Sequence, residues 1–248
     1  MTEVKEPLFE RSLLFSAEIN LLAYLWNIYA HVNSVVICIY KGNVSGFEIR
    51  LLLLVAYNLV RGNAMPILIV DMGSQYSHVI WRSVRDLSRE GKIVPKDVSQ
   101  KELSSAEAII LSGGPSSVTK DNFHSIPNQI KKSGMPILGI CLGHQLIAHS
   151  LGGKVVKGKS AEYGISKIVV DEGGVLLSGL PKSFNAWVSH FDEVAAMPPG
   201  FVRLAHSETC GVEAMENAKR KIFSVQFHPE VWHTENGEKI LQNFLSQV

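Results

Sequence analysis

The sequence predicts an α/β fold, with a central mostly parallel sheet flanked by helices and a smaller antiparallel strand region. Three observations lead there. From residue 66 onward, short apolar runs, glycine-containing turns and helical periodicity alternate, the pattern of helices packed on both faces of a sheet. Between Lys154 and Phe227 that rhythm gives way to short strand-like runs. Gly139-Ile-Cys-Leu-Gly143 sits where an apolar strand meets a helix, a junction at which α/β proteins place reactive groups.

Residues 66–71 form an apolar run ended by Gly73-Ser74, a buried parallel strand and its turn. Residues 77–89 follow with Val79, Ile80, Val84 and Leu87 at helical spacing. Residues 106–111 make a second buried strand that runs into Ser112-Gly-Gly-Pro115, and residues 136–141 a third. Residues 142–151 read as a helix stopped by Gly152-Gly153. Strand-like runs then occupy 164–170, 184–189, 201–206 and 221–227. The terminal stretch 235–248 reads as a helix packing through Ile240, Leu241, Phe244 and Leu245.

Residues 1–64 differ from the rest. The stretch 21–40 is long enough to span a bilayer but carries Asn27, His31 and Asn33, and 51–60 is too short. No signal-peptide pattern is visible. Met65 stands directly before the first strand, so the expected division is 1–64, an extension or misassigned start, and 65–248, one complete domain.

Composition excludes several functions. Lys and Arg number 24 against 23 Asp and Glu, too even a balance for a nucleic-acid or anionic-membrane surface. Cys38, Cys141 and Cys210 make neither a zinc spacing nor a disulfide framework, which suits a reducing cytoplasm. No H-E-x-x-H occurs, and His144 and His149 have no carboxylate partner at ligand spacing, so no metal site is expected.

The small residues flanking Cys141 permit a tight strand-to-helix turn that projects the thiol at a helix N-terminus. The helix dipole and a nearby imidazolium there favour thiolate, and the Leu142 N–H can face an oxyanion. Phe227-His-Pro-Glu230 ends another strand. Residues two apart in an extended segment point the same way, so Glu230 can hold the Nδ1–H of His228 and leave Nε2 for the thiol. Ser112-Gly-Gly-Pro115 lies at a third strand end, where two glycines allow the backbone to approach a reacting carbonyl. A phosphate-cradling loop is the rival reading, but Ser116 replaces the aspartate of the SGGxDS loop and no Walker lysine follows.

Together these segments resemble the class I, triad-type glutamine amidotransferases over nearly all of 66–248. Within that family they are similar to the glutaminase part of GMP synthase, above all the separate small subunit of archaea. Val70-Asp-Met-Gly-Ser-Gln-Tyr76, residues 112–118, residues 139–148, Ala161-Glu-Tyr-Gly164, Trp187-Val-Ser-His-Phe-Asp-Glu-Val194, Ser207-Glu-Thr-Cys210, Val212-Glu-Ala-Met215 and residues 226–231 carry the closer match. The resemblance implies a triad of Cys141, His228 and Glu230, oxyanion donors on the Gly114 and Leu142 backbones, and glutamine held by Gln145, Ser189, Phe191 and Asp192. Met72 and Phe191 depart from the residues frequent there. It also implies a partner, the ATP pyrophosphatase subunit of GMP synthase, which would carry ATP and Mg2+ and aminate XMP; this chain would need no cofactor. A glutaminase serving anthranilate or carbamoyl phosphate synthesis, or a regulatory protein of the same fold, would share most of these features.

Overall fold

The computed structural model describes residues 65–118, 120–121, 123, 126–132 and 134–248. The readings of residues 1–64 lie outside them.

The first half of the domain alternates strand and helix: β1 (Ile67–Asp71), α1 (Ser77–Asp86), β2 (Gly91–Pro95), α2 (Gln100–Leu103), β3 (Ala108–Leu111), α3 (Ile126–Lys132), β4 (Ile137–Ile140) and α4 (Leu142–Ser150). Four antiparallel-paired strands follow: β5 (Lys154–Val170), β6 (Ser183–Ala196), β7 (Val202–His206) and β8 (Ala214–Asn217). A 3-10 turn (Ala218–Arg220), β9 (Ile222–Val225) and α5 (Gly237–Leu245) complete the domain. All nine strands of the described residues share one sheet, ordered β2-β1-β3-β4-β9-β8-β7-β5-β6. The expected antiparallel region is thus a continuation of the parallel sheet, with β9 as the seam: parallel to β4 and antiparallel to β8.

The apolar runs have a direct physical reading. Ile67 and Ile69 face one hydrophobic layer and Leu68 and Val70 the other. A strand covered on both faces must be apolar at every position. On one face α1 brings Ile80 and Val84 and α5 brings Ile240, Leu241 and Phe244; on the other α4 brings Leu146 and Ile147. The Phe223 and Phe244 rings meet edge to face at 6.1 Å.

Two glycines set how closely α4 can lie on the sheet. A Cβ at Gly143 would stand 2.5 Å from the Leu111 carbonyl oxygen, and one at Gly139 would stand 2.5 Å from the Gly143 carbonyl oxygen. Helix and strands touch backbone to backbone here, so neither position admits a side chain. Among the described residues no helix is long and apolar enough to cross a membrane.

Candidate active site

Parallel strands place their carboxyl ends along one edge of the sheet. The ends of β1, β3, β4 and β9 lead into Asp71, Ser112, Cys141 and Gln226, and the expected Gly114, Cys141, Leu142 and His228 follow these strand ends.

Cys141 joins β4 to α4 with φ 52° and ψ −103°. Left-handed φ is strained for a residue with a Cβ, and it is held from both sides. The Cys141 N–H donates to the Val225 carbonyl at 2.9 Å and its carbonyl accepts from the Gln145 N–H at 3.2 Å. The side chain is buried, and its thiol lies 3.8 Å from the Ser189 carbonyl.

His228 and Glu230 converge as the extended spacing requires, with Nδ1 2.8 Å from Glu230 Oε1. The His228 N–H donates to the Trp187 carbonyl at 2.9 Å, the Thr234 hydroxyl donates to the His228 carbonyl at 2.6 Å, and the Tyr76 ring packs on the imidazole at 5.4 Å. Burial works against a charged imidazole. The Glu230 charge and hydrogen bonds with Cys141 and Glu230 outweigh it, and the His228 pKa is raised well above its ordinary value. The arrangement therefore brings together a thiol, an imidazole across Gly113 from it and a buried carboxylate that fixes the imidazole.

Gly113 lies between Cys141 and His228: a Cβ there would meet His228 Cε1 at 3.1 Å and Cys141 Cβ at 3.6 Å. At Gly114 a Cβ would stand 2.3 Å from the Met72 carbonyl oxygen and 3.0 Å from the Leu142 side chain. The second glycine thus serves close packing of two turns. Those turns are also stitched by the Met72 N–H donating to the Ser112 hydroxyl at 3.0 Å. Asp71 ends β1 by accepting from the Gly73 and Ser74 N–H groups at 2.9 and 3.2 Å and the Ser77 hydroxyl at 2.8 Å, which gives the Asp-x-Gly-Ser segment its turn.

The expected glutamine contacts separate. Gln145 is buried, and its amide donates to the Asp192 carbonyl at 2.7 Å and Gln226 Oε1 at 3.2 Å. Ser189 meets Cys141 through its carbonyl. The Asp192 carboxylate accepts from the Ser117 hydroxyl at 3.1 Å. Phe191 is 61 % exposed, with its ring 6.0 Å from Lys157 Nζ, at the surface. Gln226, Ser117, Tyr76 and Trp187 received no role in the sequence reading. Gln226 stands two residues before His228 at the same strand end, the one local signal that could have found it.

A family model described as glutamine amidotransferase class-I matches residues 68–248. The chain belongs to that family. Among curated relatives, a glutamine-hydrolyzing GMP synthase subunit of Pyrococcus abyssi is 47 % identical over 180 residues, covering 72 % of this chain and 96 % of the relative. The Methanocaldococcus jannaschii protein of the same name is 48 % identical over 181 residues, covering 72 % and 95 %. A solved structure described as a putative GMP synthase subunit from Thermoplasma acidophilum superposes with a TM-score of 0.70 at 38 % identity, covering 74 % of this chain and 94 % of that one. A Thermotoga maritima glutamine amidotransferase, 20 % identical with a TM-score of 0.58, shares the fold. The amidotransferase match begins at the first strand and leaves out residues 1–64.

Proposed function

We propose that this chain is the glutaminase subunit of a two-polypeptide GMP synthase. It hydrolyses glutamine to glutamate and ammonia, and a cytoplasmic partner subunit with ATP pyrophosphatase activity, binding ATP and Mg2+, uses the ammonia to convert XMP to GMP. The observation that carries this reading is Cys141 on a left-handed strand-to-helix turn, across Gly113 from a buried His228 whose Nδ1 lies 2.8 Å from Glu230. The nature of the acceptor rests on the relatives. Those named as GMP synthase subunits are matched over 95–96 % of their length. A protein named GMP synthase from Parafrankia, 43 % identical, is matched over 34 % of its length, as a fused glutaminase and synthetase would be.

In the proposed reaction the Cys141 thiolate attacks the glutamine carboxamide carbon, and the Gly114 and Leu142 N–H groups receive the oxyanion. The C–N bond breaks as His228 delivers a proton to the leaving nitrogen, giving ammonia and a thioester. His228 then takes a proton from water, whose oxygen attacks the thioester, and glutamate leaves with Cys141 restored. Glutamine lies against Gln145, Ser189 and Asp192, with the Asp192 carboxylate suited to its ammonium group.

Cys141→Ala is expected to abolish glutamine-dependent GMP formation by the reconstituted pair and to leave formation from added ammonium unchanged. Glutamine turnover by that variant would overturn the nucleophile assignment. Failure to find a partner that aminates XMP, with amination of another acceptor instead, would overturn the pathway assignment and leave the glutaminase standing.

A further inference from the structure

Four side chains outside the Cys141–His228–Glu230 set meet in one cluster behind the 189–192 segment. Glu162 comes from β5, His190 from β6, and Cys210 and Glu213 from the turn joining β7 to β8; their carboxylate, imidazole and thiol atoms all lie within 4.8 Å of one another. Glu162 is surrounded by donors. Its Oε2 stands 2.9 Å from His190 Nε2, and its Oε1 accepts from the Ser207 hydroxyl at 3.1 Å, the Ser166 hydroxyl at 3.3 Å and the Thr209 hydroxyl. Burial disfavours its charge, but the bonds from His190 and Thr209, the His190 charge and the bond from Ser207 prevail and hold the carboxyl at about 2. Glu162 is the ionised member.

Glu213 is fully buried and has no such company. Ser207 stands beside it, but its one hydroxyl proton goes to Glu162. The Cys210 thiol donates to the Val212 carbonyl at 3.6 Å. The other titratable groups around it are Glu162 on β5, His190 and Glu193 on β6 and Cys210 in its own turn, with His144 on α4 interacting with His190. His144 is held neutral at about 3, first by burial and then by His190. Among the described residues neither carboxylate oxygen of Glu213 has a hydrogen-bond partner, and two carboxyl groups within 4.8 Å of each other do not both ionise near neutrality. A proton on Glu213, donated to Glu162, satisfies both; burial first and the Glu162 charge second raise Glu213 to about 8.

The cluster reaches the glutamine side of the site through His190. Its Nδ1 lies 3.2 Å from the Asp192 carbonyl, which also accepts from Gln145. The preceding carbonyl, that of Ser189, faces the Cys141 thiol. We propose that Glu213 and Glu162 are positioning residues. A proton shared between them fixes His190, and through it the 189–192 wall that receives glutamine, so losing that proton weakens glutamine binding without touching Cys141, His228 or Glu230. This rests on the glutaminase reading.

The test is KM for glutamine and kcat against pH for the wild type and Glu213→Gln, whose amide donates permanently. Wild-type KM should rise on the alkaline side, by at most about tenfold per pH unit, with kcat changing less. Glu213→Gln should keep the neutral KM and lose the rise, while Glu162→Gln should raise KM at every pH. Thermal unfolding supplies a readout free of activity. A carboxyl raised in the folded state stabilises fully below its ordinary 4.5 and loses that contribution as pH climbs through about 8. The wild-type midpoint should therefore fall relative to Glu213→Gln across that window. Should Glu213→Gln fold poorly, infrared titration of the wild type must show a buried protonated carboxyl whose carbonyl band disappears in the same range. Parallel pH profiles in both proteins, absence of that band, or a stoichiometric divalent cation in the proton's place would each overturn the inference. A protein that unfolds as expected but hydrolyses no glutamine would instead overturn the function reading.

Discussion

The two halves of the sheet are built differently and serve the site differently. The central parallel strands β1, β3, β4 and β9 are four or five residues long and buried along almost their whole length. In the antiparallel half, β5 runs 17 residues and β6 runs 14, with buried and accessible positions alternating along β6. The parallel half carries Cys141 and His228 on backbone anchored to neighbouring strands. The antiparallel half supplies Ser189 and Asp192. In the proposed reaction the covalent step, which depends on alignment to fractions of an ångström, falls to strands enclosed on both faces, and recognition of the substrate's far end to strands with one face in solvent.

This contrast can be broken from the parallel side first. Glu230→Gln should lower glutamine turnover by as much as about 10⁴-fold with little loss of stability, because the amide disturbs the tautomer of His228 while filling the same space. Steady-state rates beside thermal unfolding curves check it; an unchanged rate would make Glu230 structural. Gly143→Ala comes next. Its Cβ would press on the Leu111 backbone, costing about 1–3 kcal/mol, and the shift passed to Cys141 should lower turnover by about 10²-fold. Denaturant midpoints and rates should fall together, and a stable, fully active variant would mean that α4 can move off the sheet freely.

The smallest effect is expected on the antiparallel side. The buried Glu216 carboxylate of β8 accepts from the Val175 N–H at 3.0 and 3.1 Å and the Leu176 N–H at 3.0 Å. Glu216→Gln should cost about 1–3 kcal/mol of stability and leave kcat for glutamine near the wild-type value. A large fall in kcat with stability intact would show that the two halves are not separable in this way.

The same contrast decided what could be read from the sequence. The strands covered on both faces appear as unbroken apolar runs, so β1, β3, β4 and β9 were legible, and so were Cys141 and His228 at their ends. Half-covered strands dilute that signal: β5 was legible only over 164–170, although it begins at Lys154. Strand β8 escaped notice because Glu216 interrupts it, a charge that makes sense only once the Val175 and Leu176 N–H groups are seen to need an acceptor. The Glu162–His190–Glu213 cluster had no local pattern at all, since its members come from three separate segments. Phe191 was expected against glutamine by resemblance, and the structure places its ring at the surface beside Lys157.

The position of β9 also bears on how the molecule comes into being. It lies between β4 and β8, yet it is the last of the described strands in chain order. On the ribosome the other eight emerge earlier, and the sheet stays open in its middle until residues 222–225 arrive. Cys141 thus spends much of synthesis apart from His228, because the strand that fixes its backbone also leads into that residue. Long-range closure of this kind slows folding and exposes sticky edges meanwhile. If Cys141 and His228 act together as proposed, a shortened chain lacking β9 would be an inert fragment rather than an unregulated source of ammonia.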